Sequence, residues 1–208
     1  MKTLKVLGTA GVLAAAFAAT NAYADAPRYD FFDLSYQNNS DPSGSGLSSD
    51  HDYGVSGSYA FTDNWIGGAS YAHESADFNP AGFSSGTVSG NSYEAGIGYR
   101  FPLTASVDLV PNLSYAHESS DVSFPGLSSS TSGSGYDAGV LLRAMVTDKV
   151  ELNASFDHTT PIASANTWGV GGLYNFTPAI AVGLGYSETS SGGQTTNSWT
   201  AVFRYYFK

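Results

Sequence analysis

Two five-residue phrases in the chain carry the same pair of reactive groups: Tyr71-Ala72-His73-Glu74-Ser75 and Tyr115-Ala116-His117-Glu118-Ser119. In each, a His and a Ser stand two residues apart. Residues two apart on a strand share a face, so the imidazole could act as a general base on the hydroxyl. The plainer reading is an interfacial polar belt copied by duplication. A second group is acidic: Asp52, Glu74, Glu94, Glu118, Asp137 and Asp157. Gathered at one height, six carboxylates would favour cations or weakly hold a divalent metal. A third group is basic: Arg100, Arg143 and Arg204. Arg100 and Arg143 each precede a carboxylate, Asp108 and Glu151, eight residues on across a short turn. What these groups can do depends on the elements that carry them.

The last strand-length segment, Ser198 to Phe207, shows what those elements are. From Trp199 every second residue is apolar or aromatic: Trp199, Ala201, Phe203, Tyr205 and Phe207. A period of two means a strand with two unlike faces. The template recurs four times earlier, led by Tyr53, Tyr93, Tyr136 and Trp168, and reaches Phe61, Phe101, Ala144 and Phe176 eight residues on. Eight strand residues span about 26 Å, or about 20 Å of height once tilted. That spacing fits two aromatic girdles on a bilayer-spanning barrel. Tyr53, Tyr93, Tyr136, Trp168 and Trp199 form the upper girdle, and Phe61, Phe101, Phe176 and Phe207 the lower.

The first residues supply a route to such a membrane. A basic start at Lys2 and Lys5, an apolar run from Val6 to Ala19 and the phrase Ala22-Tyr23-Ala24 read as a secretory signal peptide, 1–24, cleaved after Ala24. The barrel domain is then 25–208. Losing Lys2 and Lys5 from 8 basic residues leaves six against 18 acidic ones, a net charge of about −12. Such a chain does not suit nucleic acid. It has no Cys, which excludes a disulfide scaffold in an exported protein. After the leader no apolar run approaches the ~20 residues of a spanning helix. The 24 Gly, 14 Tyr, 12 Phe and 3 Trp, with only 12% charged residues, fit a transmembrane barrel instead.

The fold expected is all-β: an antiparallel up-and-down transmembrane β-barrel of about ten strands, with eight as the alternative count. The strands are 29–38, 52–61, 65–74, 92–101, 107–118, 135–145, 150–158, 167–176, 180–188 and 198–207. Short turns of Thr62–Asn64, Pro102–Ser106, Val146–Lys149 and Thr177–Ala179 alternate with longer polar loops at 39–51, 75–91, 119–134, 159–166 and 189–197. Short turns belong in the periplasm and long loops outside, and an even count puts both termini in the periplasm. Pro111 falls in mid-strand, where it removes a ladder donor and predicts a bulge or a shift of phase. A hairpin repeat links Tyr93-Glu94-Ala95-Gly96 to Tyr136-Asp137-Ala138-Gly139, about 43 residues apart.

With the aromatics outward, the other parity faces the lumen. The six carboxylates then ring the outer mouth. Arg100, Asp108, Arg143, Glu151 and Arg204 form the lumen floor, braced as ion pairs or set as a constriction. Much of the remaining inner face is Gly or Ser, including Gly54, Ser56, Gly68, Gly96 and Gly183, which leaves room for water. His73, His117 and His158 share parity with Tyr71, Tyr115 and Phe156 and sit outward.

The leader, the repeated aromatic template and the near-terminal Phe207, followed here by Lys208, resemble the small single-chain outer-membrane barrels of the OmpA/OmpX-like superfamily. The strand phrasing is also loosely similar to ten-stranded outer-membrane proteins associated with diffusible-signal-factor signalling. The resemblance implies a bacterial outer-membrane location, with lipid and lipopolysaccharide around the barrel. It also implies a last strand read by the barrel-assembly machinery, with periplasmic chaperones acting in biogenesis. The His-x-Ser spacing is similar to that of outer-membrane lipid A deacylases, but their following Asn-Ala-Gly is absent here, Ser75 leading into Ala76-Asp77. The Asp/His pairing of omptin-type proteases has no counterpart beyond Asp157-His158, which point to opposite faces.

These readings lead to a narrow porin-like barrel with limited, cation-favouring permeation of ions or small solutes. The alternatives are a non-conducting structural or surface-interaction barrel and, more remotely, a lipid-modifying enzyme. No catalytic residue, metal or cofactor is expected.

Overall fold

The computed structural model describes residues 25–40, 47–78 and 85–208. The expected signal peptide lies outside the described residues, as do the middles of the first two expected loops. Eleven strand segments follow in order: β1 Phe31–Asn39, β2 Leu47–Ala60, β3 Trp65–Phe78, β4 Gly86–Tyr99, β5 Phe101–Pro102, β6 Val107–Phe124, β7 Leu127–Met145, β8 Val150–Thr159, β9 Ala165–Asn175, β10 Ile180–Ser191 and β11 Gln194–Tyr206. All neighbours pair antiparallel. β1 closes the sheet onto β11 from Phe31↔Tyr206 to Asn39↔Ser198. A closed sheet has no free edge, so the ladder satisfies the backbone groups that lipid cannot.

The barrel has ten staves, because β4 and β5 are one line of chain. Gly98 pairs Asn112 and Phe101 pairs Leu109, so the register is unbroken across Tyr99 and Arg100. Opposite those two sits Pro111, which has no N–H to give. The ladder opens there without the bulge or phase shift that the sequence suggested. On its other side Pro111 stays paired with Val140, in register with its neighbours. A proline is tolerated here because it costs one bond on one side of a stave held on both.

Alternation sorts the side chains as expected. Trp199 is 64% exposed while Thr200 beside it is 5% exposed. The outward rings meet their neighbours around the wall, as in Tyr186–Trp199 at 5.2 Å near the top and Trp65–Tyr99 at 4.9 Å near the bottom. On an outer-membrane barrel, that exposed aromatic surface is what lipid covers.

Four hairpin turns share one device that the sequence displays four times: an apolar residue, Thr, two residues, then an apolar residue. The Oγ1 atoms of Thr62, Thr147 and Thr177 accept from backbone N–H groups two and three residues on, and that of Thr104 from Ser106. The residue before each Thr closes the loop by donating to the strand that follows, at 2.8–3.1 Å. These hydroxyls hold the four turns short.

The opposite end differs from expectation. The supposed loop 119–134 is mostly ladder, running to Phe124↔Leu127, and 189–197 pairs to Ser191↔Gln194. The hairpins turn at Pro125-Gly126 and Gly192-Gly193, whose glycines at φ 82°, 58° and 81° supply the left-handed backbone that tight turns need. These segments were unreadable as strands because Ser, Thr and Gly on both faces leave no hydrophobic period. β1 also starts later than expected: Tyr29 precedes the strand, and its side chain is buried inside.

Candidate functional site

The three arginines meet at the end of the lumen where the short Thr turns lie. Arg100 Nε lies 2.7 Å from Asp108 Oδ2. Arg143 holds Glu151 with two bonds, at 2.6 and 2.8 Å. Neither pair is directly opposed, since Phe101 pairs Leu109 and Asn153 pairs Arg143, so each bridge runs diagonally across its hairpin. The direct partner of Arg143 across the ladder is Asp108. Arg204 is held by Asp33 at 2.8 and 2.7 Å, a bidentate pair across the closing β1–β11 seam. Asp33 was the missed partner. Its inward parity was readable, but pairing it with Arg204 needs the register of barrel closure.

Tyr29 completes this floor. Its hydroxyl donates to Asp108 Oδ2 at 3.0 Å, and the Arg143 guanidinium lies 4.5 Å from its ring centre. Its ring packs with Ile66 and Val110. The chain before it is tied down as well: Arg143 donates to the Arg28 carbonyl at 2.8 Å, and Arg28 donates to the Pro178 carbonyl and stacks over Tyr206. Arg28, Tyr29 and Asp30, whose carboxylate accepts from Ala60 N–H, thus form a strap across the barrel bottom. Asp108 and Glu151 are fully buried and Arg143 is 2% exposed. A buried pair of this kind tolerates loss of one member poorly, because the other stays charged out of water.

At the other end the six expected carboxylates do lie on the inner face, though not as an even ring. Asp52, Glu94, Glu118, Asp137 and Asp157 border a cavity of about 360 Å³ that reaches down to Tyr29, Arg143 and Arg204. Glu74 borders a smaller cleft beside Asp52 and Glu118. Thr159 donates to Asp137. Asp50, read as loop, is a further inward carboxylate just above Asp52 on β2. The turn after β8 leans inward, so that Ile162 borders the cleft with Glu74 and Glu118.

Small residues line the waist, and several of them do more than leave space. A Cβ on Gly96 would strike the Leu113 carbonyl oxygen, and one on Gly139 the Asp157 carboxylate. These glycines let neighbouring staves and side chains approach.

The histidines lie outward as expected, yet each takes its partner from the next strand rather than from the nearby Ser. His73 Nδ1 is 3.0 Å from Asn91 Oδ1, His117 Nδ1 is 2.8 Å from Ser134 Oγ, and His158 Nδ1 is 2.9 Å from Asn166 Oδ1. Tyr71 and Tyr115 donate to the same Asn91 and Ser134. Asn takes the position in two of three places, so the arrangement braces strands and does not select a nucleophile.

The outer membrane protein beta-barrel domain family matches the chain over residues 7–167. Among solved structures, the chain is similar to the translocator domain of autotransporter NalP from Neisseria meningitidis. That likeness has 14% identity and a TM-score of 0.52, and covers 87% of this chain and 89% of that one. Two weaker likenesses are to Ail, the attachment invasion locus protein of Yersinia pestis, and to the KdgM porin. For Ail the identity is 17%, the TM-score 0.45 and the coverage 86% and 99%. For KdgM the identity is 11%, the TM-score 0.47 and the coverage 86% and 99%. Likeness at such identities concerns the fold. No curated protein matches the sequence.

Proposed function

Because the chain belongs to the outer membrane protein β-barrel family, we propose that it is a narrow outer-membrane channel with limited, cation-favouring permeation of ions or small solutes. The observation that carries this reading is the lumen cavity, open-walled with Gly and Ser, with carboxylates at its mouth and a matched floor of arginines and acids beneath. An acidic mouth concentrates cations and repels anions. The floor would limit that permeation: the strap of Arg28, Tyr29 and Asp30 stands in the path, so current depends on its displacement. Outer-membrane lipid and lipopolysaccharide surround the aromatic belts. The barrel-assembly machinery and periplasmic chaperones are the partners proposed for biogenesis. Planar-bilayer recording across a KCl gradient tests the reading: a small conductance with a cation-side reversal potential supports it.

One observation favours a second reading, a non-conducting interaction barrel. The β6–β7 hairpin continues its ladder from His117↔Ser134 to Phe124↔Leu127, well above the upper girdle, and lifts exposed Leu127 at its tip. Absence of current from verified folded barrel would select this alternative.

A further inference from the structure

The charged side chains are sorted by height. After the leader the chain has six Lys and Arg residues, and all belong to the periplasmic end: Arg28, Arg100, Arg143 and Arg204 in the floor, Lys149 in a turn and Lys208 after the last strand. The carboxylates of the outer half therefore have no Lys or Arg near them. At one place on the rim they crowd. One carboxylate oxygen from each of Asp50, Asp52 and Glu74 lies within 4.8 Å of the others. Like charges at that spacing repel strongly in the low dielectric of a barrel wall.

The crowding is built from several strands. Asp52 on β2 directly opposes Glu74 on β3. The β2–β3 register shifts between Ser48 and His51, an irregularity of the kind that re-aims side chains beside sites. Two amides of β1 fix the aspartates. Asn39 Nδ2 donates to Asp50 Oδ1 at 2.8 Å and to Asp52 Oδ2 at 3.2 Å, and Gln37 Nε2 donates to Asp52 Oδ2 at 3.0 Å. Those amides are oriented in turn by Ser198 and Thr200 of β11, which donate to their carbonyl oxygens at 2.6 and 2.9 Å. Such outer contacts hold ligands in place.

One oxygen is left over. Asp52 is only 5% exposed, yet its Oδ1 is buried with no hydrogen-bond donor. A buried carboxylate oxygen of this sort calls for a partner. The side chain borders, with Glu74 and Glu118, a cleft of about 20 Å³, room for one guest the size of an ion or a water. The base nearest in sequence, His51, points to the outer face, its ring against those of Tyr36 and Tyr53.

We propose that Asp50, Asp52 and Glu74 bind one hard divalent cation of the calcium class at the outer mouth. The donors are all oxygen, which selects such an ion over zinc or copper. Calcium accepts an irregular set of six to eight oxygens completed by water from the lumen, whereas magnesium demands a regular octahedron. The ion links β2 to β3 and relieves their repulsion. This site stands whether or not the barrel conducts, since a closed floor leaves the mouth unchanged.

Calcium chloride titrated calorimetrically into chelator-washed, detergent-folded protein at constant ionic strength tests it. One saturable site is expected. Asp52→Asn and Glu74→Gln should each weaken it roughly tenfold or more. Glu188→Gln, an outer carboxylate facing outward against Trp168, should leave it unchanged. Calcium should also raise the melting temperature of wild type and of Glu188→Gln, but not of Asp52→Asn. The unheated gel shift of a closed barrel reports that each variant is folded. No saturable binding by wild type overturns the proposal before any variant is needed. Equal weakening by Glu188→Gln and Asp52→Asn overturns it too, since diffuse screening would then account for the heat.

Discussion

The Tyr29 hydroxyl donates to Asp108 Oδ2 at 3.0 Å, joining a residue just before β1 to one buried in β6. The bond makes the segment just before β1 part of the lumen floor. Tyr29→Phe keeps the ring among Ile66 and Val110 and loses about 1 kcal/mol, with current unchanged. Tyr29→Gly removes the ring and should raise single-channel conductance severalfold. Equal currents from all three proteins would deny the floor a part in permeation.

The buried pair Arg143–Glu151 should be costly to break and cheap to replace. Glu151→Ala strands a guanidinium that is 2% exposed, for a loss of about 3–5 kcal/mol. Replacing both, Arg143→Met with Glu151→Leu, should recover most of that loss. Urea unfolding of the detergent-refolded barrel, followed by the gel shift, measures both. A double variant as weak as the single one would mean that the bonds from Arg143 to Arg28 and the stack on Tyr29 dominate.

Strand parity has its own test in the wall. Leu184 is 67% exposed on the outer face, so Leu184→Arg should cost about 2–4 kcal/mol near mid-bilayer. Gly68 faces inward, and a Cβ there meets only the Gly57 carbonyl oxygen, at an ordinary 3.5 Å. Gly68→Ser should therefore be mild. Reversed effects in lipid vesicles would put the inner and outer faces the other way round.

The aromatic template made the walls legible because lipid demands it: Trp199, Phe203 and Phe207 alternate with small and polar residues under one constraint. The same constraint gave the parity of Arg100, Arg143 and the six mouth carboxylates. What escaped lies where that constraint ends. Asp33 and Arg204 stand 171 positions apart and meet only across the closing seam. Asp50 sits in a Ser/Gly/Asp stretch with no period, so its inward aim follows from the register of β2. Tyr29 reads as the start of a strand, and only a closed barrel gives its ring an interior to enter. The Thr-x-x turn motif was in plain view four times and carried a hydrogen-bond pattern that composition does not reveal.

Selectivity is the last expectation, and it separates mouth from floor. If current passes, it should favour cations, because the outer rim carries Asp52, Glu94, Glu118, Asp137 and Asp157 and no Lys or Arg. The floor arginines are matched by Asp108, Glu151 and Asp33, so they contribute little net field. Glu94→Gln with Asp137→Asn should lower the cation preference. The effect should be larger at 0.01 M salt, where the Debye length is about 30 Å, than at 1 M, where it is about 3 Å. Glu151→Ala acts at the narrow end instead: it frees the Arg143 charge in the path and should cut cation current at every salt concentration. Both are read as reversal potentials and currents across a KCl gradient, with the Tyr29→Gly background used if wild-type current is too small to resolve. An anion-selective wild type would remove the mouth carboxylates from the account of permeation. A Glu151→Ala effect that vanished at high salt would move its origin from the floor to the long-range field of the rim.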